Sequence, residues 1–300
     1  MIKLLQVKRS TLATFETTTM KLQATRLQVL ESDKLTPLAK QWAINNWQYL
    51  TSSNTPLINV NSSAKIVKGK KLNVYTGILY LKPADSIAAT TICAAAQLAG
   101  CKAGCLESSG QLGMQTGDNA KIKRTICYLL ESERFNSELK REISKHHAKY
   151  GNDLAIRLNG TSDIDFNSLI ESMPAVQFYD YTKIYYRVKS NQLANYDLTF
   201  SGSANNERTI TQTAKAIKAG KRVVIALNTA ETKGEWKRPQ SIGDIPLIDM
   251  DETDVRFKDA GNAIGTLKRK GSNKAERNTD NTGNSFFFNQ STLNQLQLAL

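Results

Sequence analysis

Short runs of apolar and β-branched residues alternate with longer amphipathic stretches along the central part of this chain. Nearly continuous apolar runs of this length are typical of strands that are buried on both faces of a parallel sheet. Five such strands are predicted, in Leu72–Leu81, Asp153–Gly160, Ala175–Tyr181, Tyr196–Gly202 and Lys221–Asn228. A further pair is predicted in residues 245–251 and 263–271, which read IPLIDMD and AIGTLKRKG.

Helical patterns separate these strands. The pair Thr36-Pro37 predicts a helix start, because proline fits the first turn, and this helix is expected to run to Leu50. Further helices are predicted over Asn119–Lys149, Phe166–Met173 and Glu207–Ala219. Strands that alternate with helices indicate parallel βαβ units. The sequence therefore predicts an α/β fold, an incomplete (β/α) barrel of mainly parallel strands with a helical N-terminal appendage.

The 300 residues divide into three parts on this pattern. Residues 1–60 are expected to form the appendage, residues 61–271 the barrel-like core, and residues 272–300 a polar tail with a short amphipathic C-terminus. A core of this length buries enough apolar surface to fold without disulfides. No run approaches the roughly 20 apolar residues that span a bilayer, so no membrane association is expected.

All four cysteines lie between residues 93 and 127, and three of them lie in Ile92–Gly110. Thiols stay reduced inside cells, where grouped cysteines more often bind metal than pair. Three cysteines on one loop after the first barrel strand can hold an iron–sulfur cluster with one iron left open, so Cys93, Cys101 and Cys105 are predicted as metal ligands. Zinc held by four cysteines, and no metal at all, are the alternatives. Cys127 is expected in the core because its neighbours at helical spacing are apolar.

Polar side chains follow several predicted strands at the point where each strand ends. The reactive groups of parallel α/β folds gather at these carboxyl ends. Carboxylates and an amine there are candidates for acid–base chemistry, and the candidate catalytic residues are Asp163, Asp180 and Lys183. Amides, hydroxyls and a glycine are candidates for cofactor binding, namely Asn159, Ser162, Ser201 and Gly202.

Two of these segments also have a simpler explanation. Ser162 or Asp163 can instead cap the helix that follows. Gly202 lies between two serines, and backbone amides around such a glycine can form an anion-binding nest. A plain helix start explains the same residues, so both interpretations stay open.

The net charge of +13 favours contact with polyanions, and nucleic acid or a phosphorylated ligand is the expected partner. Basic residues are concentrated rather than evenly spread, for example KREISKHHAK at residues 140–149 and KRKGSNKAER at residues 268–277. The second segment is predicted to contact nucleic acid through Lys268, Arg269, Lys270, Lys274 and Arg277. Charge alone does not separate this interpretation from a solubilising role.

The strings LAIRLNGTSDIDF, VQFYDYTK and YDLTFSGSANNE, followed by DETDVRFKDAGNAIGTLKRKG, resemble a phage-encoded family typified by mycobacteriophage gene product eighty-eight. The similarity runs from about Leu72 to Gly271. Members of this family have no established activity. The resemblance implies a viral protein that acts in the cytoplasm of the bacterial host, with a barrel distantly similar to radical S-adenosylmethionine proteins.

Together these features predict a phage accessory enzyme that binds a 4Fe-4S iron–sulfur cluster and S-adenosylmethionine and acts on nucleic acid or a nucleotide. A non-enzymatic or replication-related nucleic-acid-binding protein is the first alternative, favoured by the net charge. A structural virion component is the second, with the C-terminal segment TLNQLQLAL as an assembly element.

Overall fold

The computed structural model describes residues 20–52, 55–60, 72–102, 105, 115–228, 238–259, 261–268 and 285–300. Within these residues, nine strands form one sheet. They are β1 (Ile58–Val60), β2 (Tyr75–Leu79), β3 (Leu154–Arg157), β4 (Gln177–Thr182), β5 (Tyr196–Ser201), β6 (Val223–Leu227), β7 (Ser241–Ile242), β8 (Ile245–Asp249) and β9 (Ile264–Lys268). The strand order is β1-β2-β3-β4-β5-β6-β9-β8-β7.

The sheet is parallel except at its two edges. Strands β2 to β6 are neighbours in chain order and run parallel, and β9 and β8 continue this arrangement. Strands β1 and β7 pair antiparallel at the edges. A sequential parallel order is the winding of a (β/α) barrel, because each right-handed crossover places its helix on the same face. The two edge strands do not pair with each other, so the barrel is open, and the predicted α/β fold with a mainly parallel sheet is confirmed.

The helices of the described residues are α1 (Arg26–Glu31), α2 (Pro37–Asn45), α3 (Trp47–Thr51), α4 (Gln115–Leu130), α5 (Ser132–Tyr150), α6 (Asn167–Glu171), α7 (Tyr185–Ser190), α8 (Glu207–Lys218) and α9 (Gln290–Ala299). Helices α4 and α5 replace the single helix predicted over Asn119–Lys149, because the chain bends at Glu131. The Glu131 carboxylate accepts the N–H groups of Gln23 and Ala24 at 2.7 Å each. These long-range bonds, which no local pattern encodes, accompany the break.

One face of the sheet is covered by helices and holds the main core. Side chains alternate between the two faces of a strand, and on the helical face Ile156, Phe178 and Phe200 are buried. Val29 of α1 and Leu50 of α3 belong to the same apolar cluster as Ile156 and Phe178. The N-terminal helices are therefore packed into the main core rather than standing apart from it.

The opposite face of the sheet is covered by the segment between β8 and β9. Val255 and Phe257 pack there against Tyr179. Arg157 extends onto the same face, where its Nη1 donates to the Asp254 carboxylate across 2.7 Å. The face that lines the interior of a closed barrel is thus filled here by side chains of the chain itself.

The C-terminal helix α9 completes the core at the far end of the sheet. Leu293 and Leu296 are buried in the cluster that also holds Phe200 and Ile225. The apolar face of the segment predicted as a virion assembly element is therefore covered within the chain. None of the described helices is long and apolar enough to cross a membrane.

Candidate functional site

The loops that follow β2 and β3 meet at the carboxyl edge of the sheet. Cys93, in the loop after β2, forms a parallel bridge with Asp163, in the loop after β3. The Asp163 N–H donates to the Ile92 carbonyl across 3.0 Å. The cysteine loop therefore lies directly against the predicted carboxylate segment, because the carboxyl ends of neighbouring parallel strands share one edge.

The turn after β5 holds the cysteine loop in place. Ser203 Oγ donates to the Ala99 carbonyl at 2.8 Å, and Asn205 Nδ2 donates to the Leu98 carbonyl at 3.2 Å. Gly100 has a φ of +65°, and a Cβ added to it would lie 2.2 Å from Asn205 Oδ1. Both the backbone angle and the close approach favour glycine at this position.

The three thiols predicted as metal ligands share one neighbourhood. Burial raises the pKa of Cys93 to about 12, with smaller raising effects from the charges of Asp163, Cys101 and Cys105. The Ala84 N–H donates to Cys93 Sγ at 3.3 Å and opposes this shift. Charge effects weaken with distance, so the influence of Cys101 and Cys105 on Cys93 means that the three sulfur atoms are near one another.

These thiols do not form a finished ligand set. Within the residues that the structure describes, no three cysteine, histidine or carboxylate side chains are arranged to hold a metal ion. Residues 103–104 and 106–114, which flank Cys105, lie outside the described part of the chain. Cys127 is fully buried in the apolar core on α4, as predicted, and burial raises its pKa to about 12.

Lys183 lies beside the thiols. It directly follows β4, and its Nζ donates to the Gly202 carbonyl at 2.9 Å. The same Nζ lies 5.0 Å from the centre of the Phe286 ring, within the range of a cation–π contact. Burial lowers the pKa of Lys183, whereas the nearby Cys101 and Asp163 raise it. Conversely, burial raises the pKa of Cys101 and Lys183 lowers it, so the amine and this thiol act on each other.

Asp163 joins the loop after β3 to β4 and α7. Its Oδ2 accepts the Thr182 hydroxyl at 3.0 Å and the Lys183 N–H at 2.9 Å. Its Oδ1 pairs with the Arg187 guanidinium, and both side chains are only 9% exposed. Burial raises the pKa of Asp163, while Arg187 lowers it. The sequence reasoning missed Arg187, because α7 was not among the predicted elements.

Asp180 is fully buried beneath the end of β3. Its carboxylate accepts the N–H groups of Asn159 at 2.9 Å and Leu158 at 3.3 Å, and Arg157 Nε lies 3.9 Å away. Burial raises the pKa of Asp180 to about 6, although Arg157 and the two N–H groups lower it. The carboxylate faces the protein interior and not the open rim.

Asn159 and Ser162 bond to each other and to their own loop. Asn159 Oδ1 accepts the Ser162 hydroxyl at 2.9 Å and the Ile164 N–H at 2.8 Å. The predicted cofactor contacts of both residues would compete with these bonds. The alternative capping role for Ser162 or Asp163 is wrong, because α6 has Phe166 at its N-cap and no side-chain cap bond.

The segment after β5 is built as a helix start. Ser201 ends β5, and the Gly202 N–H that a nest would offer donates to the Val224 carbonyl at 2.8 Å. Asn206 caps α8 by accepting the Thr209 N–H at 3.0 Å. The simpler of the two interpretations therefore accounts for this segment.

The predicted nucleic-acid arm is only partly described. Lys268 is exposed at the end of β9, where its N–H donates to Asp251 Oδ2 at 2.7 Å. The other predicted contacts lie outside the described residues, namely Arg269, Lys270, Lys274 and Arg277.

Comparison with known proteins gives one match. The model of the family described as Gene product 88 matches residues 48–283, which is most of the chain. No curated protein matches the chain, and no solved structure does. The predicted likeness to radical S-adenosylmethionine barrels thus finds no relative among solved structures.

Proposed function

Because the chain belongs to the Gene product 88 family, a phage family of unknown function, we propose a function from the site itself. In this proposal Cys93, Cys101 and Cys105 ligate an iron–sulfur cluster at the carboxyl edge of the sheet. The observation that carries it is the effect of the other two thiols on the pKa of Cys93, since it requires the three sulfur atoms to be near one another. Cysteine thiolates are the usual ligands of such clusters.

Ligation changes the state of the thiols. Each thiol must lose a proton to the solvent when its sulfur binds iron, and burial opposes this loss by raising the pKa of Cys93 to about 12. The positive charge of a metal offsets this effect, because it favours the thiolate. Binding must also draw the sulfur atoms into one ligand set, which the described residues do not yet form. The bonds from Ser203 and Asn205 keep the loop over the sheet edge during that change.

The neighbouring groups suit a small anionic molecule. A cluster with three cysteine ligands transfers electrons and leaves one iron open to such a molecule. Lys183 lies on the same side as Cys101, and an amine can pair with the carboxylate of S-adenosylmethionine. Nucleic acid or a nucleotide is the proposed substrate class, supported by the net charge of +13.

Anaerobic incubation of the purified chain with iron and sulfide tests this proposal. The wild type should bind iron and develop a broad absorption near roughly 400 nm. The variants Cys93→Ser, Cys101→Ser and Cys105→Ser should each lose most of this absorption. Cys127→Ala is the matched control, because Cys127 lies in the core, and it should keep the absorption. A colourless wild type, or equal loss in the control, would overturn the proposal.

A second function is favoured by the net charge of +13, which suits nucleic-acid binding without any cofactor. Such binding should weaken steeply as salt rises, because neutralised phosphates release bound counterions. Fluorescence anisotropy with labelled DNA and RNA over a range of potassium chloride concentrations measures this dependence. If the wild type binds neither nucleic acid at low salt, this second function is excluded.

A further inference from the structure

A cavity of about 360 Å³ lies at the amino edge of the sheet, on the side opposite to the cysteines. It is enclosed by the C-terminal half of α5 and by the loop that leads from α6 into β4. Lys140, Ser144 and His147 form the polar wall, since they lie on one face of α5 at spacings of three and four residues. Met173 and Val176 contribute apolar surface from the loop.

The polar wall has unused bonding capacity. His147 Nε2 is buried and has no hydrogen-bond partner. A buried polar atom without a partner is costly, so a ligand oxygen or nitrogen that reaches it would remove this cost. Lys140 has no ion-pair partner among the described residues. The cavity thus combines apolar surface with cationic and hydrogen-bonding groups, the mixture that a nucleobase with an attached phosphate needs.

A row of positive charge continues from this cavity along the outer surface of α5. The basic row consists of Arg141, Lys145 and Lys149, which are all exposed and spaced by four residues. Successive members therefore rise about 6 Å along the helix axis. Glu142 does not neutralise the row, because its carboxylate is turned inward and accepts the N–H groups of Leu57 and Ile58 at 2.9 Å each.

The helix dipole does not account for the whole row. Cations stabilise a helix C-terminus, but this effect is confined to the last turn. Lys149 lies in that turn, whereas Arg141 lies more than two turns earlier. Arg141 also pairs with Glu138, so its side chain is only partly available to a partner.

We infer that this surface binds single-stranded nucleic acid, with one unpaired base in the cavity and the adjoining phosphates on the basic row. The inference rests on the nucleic-acid function proposed above and gives it a site distinct from residues 268–277. A base can enter a cavity only when it is unstacked, so a single strand is preferred to a duplex. Charge complementarity with the phosphates supplies the affinity.

Anisotropy titrations with a labelled single strand and a duplex of equal length test this site. The double variant Arg141→Gln with Lys145→Gln removes two charges from the basic row, and it should weaken single-strand binding about tenfold and lower the salt slope by about two contacts. The matched control is Lys215→Gln with Lys218→Gln, which removes two exposed charges from α8 and should change binding less than about twofold.

A cavity variant separates base insertion from charge. Ser144→Leu fills the cavity without changing the charge, and it should weaken single-strand binding severalfold while leaving duplex binding unchanged. If the wild type binds neither strand, the nucleic-acid function and this inference both fail. If the wild type binds, but the α5 and α8 double variants lose affinity equally or Ser144→Leu binds the single strand normally, only the inference fails. Thermal melts of every variant establish that each protein is folded.

Discussion

The carboxylate of Asp180 lies directly beneath the backbone of Asn159, whose N–H donates to it across 2.9 Å. Asp180 belongs to β4, whereas Asn159 follows β3, so this bond fixes the end of one strand against its neighbour. The side chain of Asn159 in turn organises the loop that carries Asp163. A fully buried carboxylate is thus tied to the position of the candidate site, whatever chemistry takes place there.

Stability should depend on the ionisation of Asp180. Burial raises its pKa to about 6, above the unperturbed value of about 4. The folded protein therefore binds this proton more tightly than the unfolded chain, and the contribution to stability falls as the pH rises from about 4 to about 6. Asp180→Asn removes this ionisation. The free energy of unfolding of the wild type, relative to that of the variant, should fall by about 3 kcal/mol between pH 4 and pH 7.

Denaturant unfolding of both proteins at the two pH values measures this change. Titration of the other carboxylates affects wild type and variant alike and cancels in the difference. A difference that is the same at pH 4 and pH 7 would show that Asp180 is not the titrating group.

The buried ion pair between Asp163 and Arg187 should be strongly coupled. Arg187→Met leaves the Asp163 carboxylate buried without its charged partner, and it should cost about 3–5 kcal/mol of unfolding free energy. Asp163→Asn should also be destabilising, but the double variant should lose less than the sum by about 1 kcal/mol or more. Denaturant unfolding of the four proteins provides this cycle, and additive losses would argue against a direct pair.

Gly100→Ala should destabilise the protein more than Gly220→Ala. Both glycines have positive φ, at +65° and +64°, so alanine is strained at either position by roughly 1 kcal/mol. A Cβ at Gly100 would also meet Asn205, whereas nothing lies within 4 Å of a Cβ at Gly220. Overpacking should add about 1–3 kcal/mol at Gly100 alone. Equal melting temperatures for the two variants would mean that the turn after β5 yields easily.

Removal of the Lys183 charge should make Cys101 less reactive. Lys183 lowers the pKa of Cys101, and only the thiolate attacks an alkylating reagent. In Lys183→Met, alkylation of Cys101 by iodoacetamide at pH 8.5 should slow severalfold, as followed by mass spectrometry of the peptides. Lys183→Arg keeps the charge and should preserve the rate. Faster alkylation in Lys183→Met would instead indicate that the loop has opened.

The strands of the central sheet were predictable from local pattern alone. The run KRVVIALN at residues 221–228 contains β6, and the other predicted runs contain β2, β3 and β5 with small shifts at their ends. The break at Glu131 was not predictable, because the residues that bond to its carboxylate lie more than 100 positions earlier in the chain. Helix α7 was missed since it has only six residues.

Part of the candidate site followed from the same reasoning. The carboxyl ends of parallel strands lie at one edge, so the proximity of Cys93 to Asp163 was expected. The role of the segment SGSANN was not, because Ser203 and Asn205 bond to carbonyl groups of the cysteine loop about 100 residues away. Asp180 differs for another reason, since strand alternation puts it on the helical face with Phe178.

The order of apolar and polar residues was thus sufficient to specify the elements, their parallel arrangement and the loops that would gather at one edge, because these depend on short-range periodicity and on chain direction. Only the tertiary structure decided which of the polar groups in those loops remain available and which bond to one another. Hydrogen bonds and ion pairs form between whichever groups the packing of the core brings within about 3 Å, and that packing depends on contacts between distant parts of the chain.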